Sequence, residues 1–426
     1  MSRRTLHIVG AGLSGLAAGL RAADAGADVV IHEAASTAGG RCRSYHDNSL
    51  GMTIDNGNHL VMSGNYATLD YVRHIGAEHR LSGPPTPQFP FVDLATDERW
   101  CLRPNSGRVP WWIFDRDRRV PDTRAVDYLG LIRLLWAGSD ASVADAMARE
   151  RRLYERLWRP VLLAALNTDP GEASAALATA VMRETLMAGG HACRPLVATQ
   201  GLGPAFIEPA LDRLRAGGAR VQFGHRLRAI TFGARRAEAL DFGDDELKLE
   251  ATDAVVLAVP AWVATALVPG LSAPSEFRAI VNGHFLINPP VAVAPITGIV
   301  NGTIEWIFAF ADRLSVTISG ADRLLDVPRE SLAHSLWKEV ARVTGLAATL
   351  PPWQIIKERR ATFAALPAQD AKRPSTVTAW DNLLLAGDWT ATGLPATIEG
   401  AIRSGNRAAD LALLRQPHER LTSCAP

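Results

Sequence analysis

At 426 residues the chain is too long for one ordinary core and points to two or three domains. Its composition is globular, 47% hydrophobic and 21% charged, and a net charge of +1 argues against nucleic acid or a strongly acidic partner. Cys42, Cys101, Cys193 and Cys424 show neither CxxC nor zinc spacing, so reduced thiols in a cytoplasmic protein without a metal centre are expected.

The opening MSRRTLHIVGAG runs directly into a strand and a glycine turn, leaving no room for a signal peptide. LHIV, residues 6–9, reads as a short apolar strand. Gly10, Gly12 and Gly15 follow in GxGxxG spacing, with Leu13 and Ser14 between them, and residues 13–26 continue with helical character. In such a unit Gly10 allows the tight turn, Gly12 lets the backbone approach a pyrophosphate, and Gly15 lets the helix pack on the strand. The helix N-terminus then faces the phosphates. DVVIHE, residues 28–33, is the next strand, and Glu33 ends it where a carboxylate accepts bonds from ribose hydroxyls. A lone GxGxxG is a weak signal; here strand, helix and acid all stand in order.

After Glu33 comes AASTAGGRCRSY, with Gly39-Gly40-Arg41, and then IDNGNHL, residues 54–60. This succession resembles the FAD-dependent amine oxidase and phytoene desaturase superfamily, which carries GxGxxG, Glu and GGR in that order. The resemblance implies FAD rather than NAD, with the GGR segment along the pyrophosphate. It places Gly57, Asn58 and His59 near the isoalloxazine, although a hydrogen-bonded core histidine is the plainer reading of His59.

Residues 76–194 read as a mainly helical insertion. RVPWWIFDRDRRVP sets Trp111, Trp112, Ile113 and Phe114 among Arg108, Arg116, Arg118 and Arg119, a mixture suited to an anionic lipid interface, as is the helix YLGLIRLLWAG at 128–138. Packing of these aromatics inside the cap is the alternative. Asp169, Pro170 and Glu172 predict a helix beginning at 170. Asn167, just before, is either a turn residue or a group that orients a substrate hydroxyl.

LRAGGARVQFGHRLRAI reads as a helix, a glycine turn and two short strands. By the resemblance the backbone near Leu227 meets the adenine. AVVLAVPAWVATALVPGL, 254–271, is uncharged and long enough to suggest a membrane span, but Pro260 and Pro269 favour a buried strand, a turn and a short helix. The resemblance brings Ala258, Val259 and Pro260 close to FAD. Residues 266–374 form a second insertion of apolar strands with a helix near 327–344. Lys357 reads as an exposed strand-end lysine beside Glu358 rather than a group holding water at the flavin.

Near the C-terminus NLLLAGD is a buried strand ending in Gly387-Asp388, resembling the superfamily's terminal GD motif, whose aspartate bonds the ribityl chain. LPATIEGAIRSGNRAADLALL opens a long helix, with Pro395 at its start and Ala396, Thr397 and Ile398 at the flavin end. Gly400, Ser404 and Gly405 are expected where helix and cofactor come close. Glu399 either complements the helix dipole or serves as an acid near the flavin. Two turns thus answer to one long cofactor.

The expected architecture is α/β: a Rossmann-like FAD-binding domain assembled from 1–75, 195–265 and 375–420, with an inserted α+β substrate domain and helical cap from 76–194 and 266–374. LWRPVLLAALNTDPGEASA, EWIFAFADR, ERRATFAALPAQDAKRP and GDWTATGLPATIEGAIRSG resemble the squalene-associated FAD-dependent desaturases, the hydroxysqualene dehydroxylases, across nearly the whole chain. The reaction this implies is reduction of a hydrophobic isoprenoid alcohol, hydroxysqualene, to squalene on the hopanoid route, at the inner face of the cell membrane. FAD is then reduced by an external electron donor that the sequence does not name. His59, Asn167 and Glu399 are the candidates to act on the leaving hydroxyl. Three rivals stand beside this reading. An amine oxidase is disfavoured because the tyrosines, Tyr45, Tyr66, Tyr71, Tyr128 and Tyr154, all precede the C-terminal half, although Trp389 offers one aromatic wall. A phytoene-type desaturase and a non-catalytic FAD-binding scaffold are the others.

Overall fold

The computed structural model describes residues 4–147 and 151–414. Cys424 and positions 415–420 lie outside the described residues. Two sheets organise the chain. A parallel sheet has the order Arg220–Gln222, Asp28–His32, Thr5–Val9, Ala254–Leu257, Leu383–Leu385. Its central strands are buried on both faces, which is why they read as unbroken apolar runs. The two-residue period still divides them. Ala254, Val256 and Leu384 pack with the helices Leu13–Asp24, Glu208–Ala216 and Ile398–Leu414, whereas Val255, Leu257, Leu383 and Leu385 pack with Leu227, Ile230 and Leu240 around a three-stranded antiparallel sheet.

The larger sheet runs Trp353–Phe363, Phe277–Leu286, Arg313–Ile318, Trp306–Ala309, Ile296–Val300, Phe89–Asp93, Arg99–Leu102. It is antiparallel except where Ile296–Val300 lies parallel to Phe89–Asp93. One face buries Val281, Phe285, Ile307 and Val316 against Trp337 of the helix Arg329–Thr344. The other carries Phe91, Asn282, Trp306, Phe308 and Thr317, which look into a cavity roofed by the helical segments 154–166 and Ala175–Glu184.

Several local expectations need correction. The cap helix starts at Ala175, not at 170, because Asp169 turns back to accept the Gly171 amide at 2.8 Å and Ser174 is the N-cap, its hydroxyl accepting from Leu177. The last helix starts at Ile398; Thr397 caps it by accepting the Gly400 amide at 3.0 Å, so Pro395 lies before the helix. Segment 254–271, by contrast, is as expected the strand Ala254–Leu257 and the helix Ala261–Leu267, and no helix among the described residues is long and apolar enough to cross a membrane. Lys357 lies mid-strand, half-buried, and its ammonium donates to the Leu325 and Val327 carbonyls at 2.7 and 2.5 Å, away from the cavity.

Candidate active site

The two turns meet. Val9 ends a central strand, and Gly10, at φ 107°, reverses the chain where a Cβ would stand 2.5 Å from the Ala258 carbonyl. A Cβ on Gly15 would fall 1.9 Å from the Gly10 carbonyl, so Gly15 serves helix packing and does not line the cavity. Gly12 is the N-cap of the helix Leu13–Asp24, has open space where a Cβ would be, and leaves the first helical amides without a side-chain cap or an acid in the helix's own first turn. That is an anion cradle. Gly39 lies beside Gly12 in an isolated parallel bridge, and Gly40 follows in the left-handed region. The Glu33 carboxylate accepts the Ala11 and Ala35 amides at 2.7 and 2.8 Å, which fixes it at the mouth of the turn.

One cavity of about 780 Å³ connects this turn to the other end of the chain. Gly10, Gly12, Leu13, Ser14, Glu33, Gly39, Gly40, Arg41, Gly57, Asn58, His59, Leu227, Pro260, Gly387, Asp388, Ala396, Thr397, Ile398, Glu399 and Asn167 all line it; Gly15 and Pro395 do not. Arg41 joins the halves: its guanidinium donates to Asp388 at 2.6 Å and to the Ala361 carbonyl at 2.8 Å. Trp389 donates to the Val259 carbonyl at 2.8 Å. The buried Arg373, from the AKRP phrase, donates to the Asp388 and Thr390 carbonyls and the Thr392 hydroxyl, holding the second loop rigid. Sequence reasoning missed Arg373, which the polar phrase PAQDAKRPST does not distinguish from a solvated basic residue.

Asn58 is held by the larger sheet. Its amide donates to the Val316 carbonyl and the Thr317 hydroxyl, and Thr317 donates to Asn282 at 2.9 Å. The Asn58 Oδ1 is buried with no hydrogen-bond partner among the described residues. The glycine cradle and the uncapped helix fit the pyrophosphate of a dinucleotide.

The three candidates for the leaving hydroxyl fare differently. His59 is half-buried on the cavity wall, makes no hydrogen bond to protein among the described residues, and is pushed down to about 4 by burial and by the Arg41 charge. It is neutral at pH 7, so it is not an imidazolium donor. Asn167 sits in the left-handed conformation at the end of the helix Arg159–Leu166; it donates to the Arg278 carbonyl and the Thr362 hydroxyl and accepts the Gly320 amide. Both its amide hydrogens are engaged in tying three segments, which leaves none to orient a hydroxyl. Glu399, 2% exposed, accepts from the Ala67 amide, the Thr68 amide and hydroxyl, and Arg403, which also forks onto Glu184. Its lone pairs anchor the helix Tyr66–His74 rather than offer a proton. Gly405 and Ser404 face the first helix and the Gly387 amide, not the cavity: a Cβ on Gly405 would lie 2.1 Å from the Ser14 carbonyl. No tyrosine lines the cavity; its aromatic walls are Phe89, Phe91, Phe308 and Trp158, Trp262, Trp306 and Trp389. Among the described residues no group of three or more His, Cys, Asp or Glu is placed to hold a metal.

Fold and site together define a flavin-dependent oxidoreductase, with one cavity that both ends of the chain line. The family model for flavin containing amine oxidoreductases matches residues 13–413. A putrescine oxidase double mutant shares the fold, with a TM-score of 0.72 at 16% identity over 97% of this chain and 99% of that one. The hydroxysqualene dehydroxylase of Rhodopseudomonas palustris is 57% identical over 96% of this chain and 98% of its own length, and that of Sinorhizobium fredii 55% over the same shares. The chain therefore belongs to the flavin-containing amine oxidoreductases, with FAD as cofactor, and within them to the hydroxysqualene dehydroxylase family.

Proposed function

We propose that the protein reduces hydroxysqualene to squalene, with loss of water. The observation that carries this reading is the continuity of one cavity, from the glycine cradle to an apolar chamber walled by Phe89, Phe91, Trp158, Val161, Met182 and Phe308. Reduced FAD, when bound, supplies the hydride. Glu33, the first-helix amides and Asp388 hold its two halves, with Asn58 at the ring. The chamber takes the isoprenoid chain, each buried CH₂ contributing about 0.8 kcal/mol. Its aromatic walls exclude water from the allylic carbon as the hydroxyl departs, so that the cation meets hydride before it meets solvent. The absence of tyrosine from the wall disfavours the amine oxidase alternative. We also infer two domains with the boundaries given above, the FAD domain around the parallel sheet and the substrate domain around the larger one.

Membrane contact belongs to this proposal, because so apolar a substrate resides in lipid. The patch is half what the sequence suggests. Trp111 and Phe114 are 66% and 65% exposed, whereas Trp112 and Ile113 are buried. Trp112 packs edge-on against Tyr128, 5.1 Å between centroids, and so joins this turn to the 3-10 helix Ala125–Trp136. That helix turns Val126, Leu129 and Trp136 outward, Trp136 at 79%, with Arg108, Arg116, Arg124 and Arg133 exposed around them. Beneath it lies a smaller pocket, and Trp158 lines both this pocket and the main cavity.

The deciding test is anaerobic. The flavin is reduced chemically, hydroxysqualene is added in detergent, and squalene and flavin reoxidation are followed together. Phytoene with oxidised flavin and a polyamine with oxygen run in parallel. Squalene formed in step with reoxidation is expected; desaturated phytoene or peroxide instead would overturn the proposal.

A further inference from the structure

Departure of the hydroxyl needs a proton, and His59, Asn167 and Glu399 do not bring one. A different acid stands behind the cavity wall. Glu305 precedes the strand Trp306–Ala309 and is 8% exposed. Its carboxyl group accepts the Ser319 backbone amide at 2.5 Å, and the Ser319 side chain lies close enough to favour the ionised carboxylate. Ser319 is itself buried and lines the cavity. It lies two residues from Thr317, the partner of Asn58, a step of about 7 Å along extended chain. Asn167 fixes the next residue by accepting the Gly320 amide at 2.7 Å. Ser319 therefore stands between a buried acid, which its amide contacts, and the cavity, which it lines.

We propose that Glu305 and Ser319 form the proton relay of this enzyme, with Ser319 touching the substrate hydroxyl and Glu305 acting through it. The inference rests on the reaction proposed above. The Glu305 proton passes to the Ser319 oxygen as the Ser319 proton passes to the substrate oxygen. The C–O bond breaks with its electron pair leaving on water, and the allylic carbon takes the hydride to form the new C–H bond. Glu305 is left as carboxylate and recovers its proton from solvent. Burial supports this role by pushing the acid up to about 7, against the bonds from Ser319 and the Arg323 and Arg159 charges. Arg323 lies in the turn after Ser319 and Arg159 on the helix Arg159–Leu166; of the acids on neighbouring segments, Asp322 accepts the Ala279 amide and Glu339 the Thr303 and Ile304 amides.

The test compares the flavin-loaded wild type with Glu305→Gln, which keeps an acceptor for the Ser319 amide, with Ser319→Ala, and with Glu358→Gln as a cavity-lining control. Single-turnover squalene formation is measured across pH, together with the infrared carbonyl band of a protonated carboxylic acid in the oxidised enzyme, a readout independent of turnover. The wild-type rate should fall as pH rises through about 7. Glu305→Gln should be about 100-fold slower and lack that limb, and a carboxylic acid band titrating over the same range should be missing from it. Ser319→Ala should be slowed with the band retained. The relay is overturned if Glu305→Gln keeps the wild-type rate and pH dependence, if the limb vanishes in Glu358→Gln instead, or if no such band is present. A wild type that forms no squalene overturns the relay together with its reaction, whereas a missing band overturns the relay alone.

Discussion

Gly405→Ala measures how tightly the two turns are coupled. Gly405 lies on the last helix against the first, where a Cβ would stand 2.1 Å from the Ser14 carbonyl oxygen and 2.9 Å from its carbon. Ordinary contact begins near 3.5 Å, so the helices must part by more than an ångström. Both obstacles are backbone, and no side chain can rotate out of the way. Overpacking of this kind costs about 1–3 kcal/mol, here the upper end, while alanine regains about 1 kcal/mol of helix propensity. A net loss of about 2 kcal/mol follows. Gly400→Ala is the control on the same helix, because its Cβ would meet the Thr397 and Thr392 hydroxyls at 3.2 and 3.4 Å and the Pro395 carbonyl at 3.5 Å, contacts relieved by a shift of a few tenths of an ångström. It should be neutral or stabilising by up to about 1 kcal/mol. Urea unfolding followed by circular dichroism gives both values. Flavin content should fall with Gly405→Ala as well, since Ser14 lines the cavity and moves with its helix. Equal stability of the two variants would refute the packing argument. Lost flavin without lost stability in Gly405→Ala would restore the expectation of direct cofactor contact.

Asp388→Ala and Glu33→Ala should each weaken FAD retention by about 1.5–3 kcal/mol, read by equilibrium dialysis of released flavin; full occupancy in both variants would disprove the two-clamp assignment. Replacing Trp111, Phe114 and Trp136 together by serine should reduce flotation with anionic vesicles while leaving the fold intact, and equal flotation would remove this patch from the membrane proposal. Stability should rise with pH between about 4 and 6.5. His32 is pushed down to about 3 by burial and by His7 and His225, and His284 to about 4 by burial and by Arg313, so the unfolded chain binds the extra protons throughout that window. His284→Gln should flatten the slope of urea midpoint against pH below 6.5. Glu305 acts in the opposite sense: its raised value gives a contribution that is full below 4.5 and lost as pH rises through about 7, and Glu305→Gln should remove that decline.

The parts of the site that were legible in sequence are those whose chemistry is local. Gly10, Gly12 and Glu33 belong to one strand–turn–helix–strand unit, and their spacing alone states the geometry. Gly387 and Asp388 are legible for the same reason, a buried strand running into a loop. Ambiguity begins where a residue's meaning depends on a partner far along the chain. Gly405 needs close approach of something, but sequence does not distinguish a cofactor from the Ser14 backbone. Glu399 and Asn167 are polar residues in apolar phrases, which suggests catalysis; apart from Arg403, four residues from Glu399, their actual partners lie about 330 residues away in one case and 111 to 195 in the other. The WWIF turn shows the same limit on a smaller scale, because four adjacent aromatic and aliphatic residues are alike in composition while the turn exposes only its ends. Glu305 is the reverse case. In EWIFAFADR it reads as one charged residue before an apolar strand, and nothing nearby marks it as an acid that keeps its proton. Only the pairing of Trp306 with Thr317 across the sheet brings Ser319 to its carboxyl group. Proton chemistry in this fold is thus written in strand register, whereas cofactor binding is written in turn sequence, and a register is fixed only when the whole sheet forms.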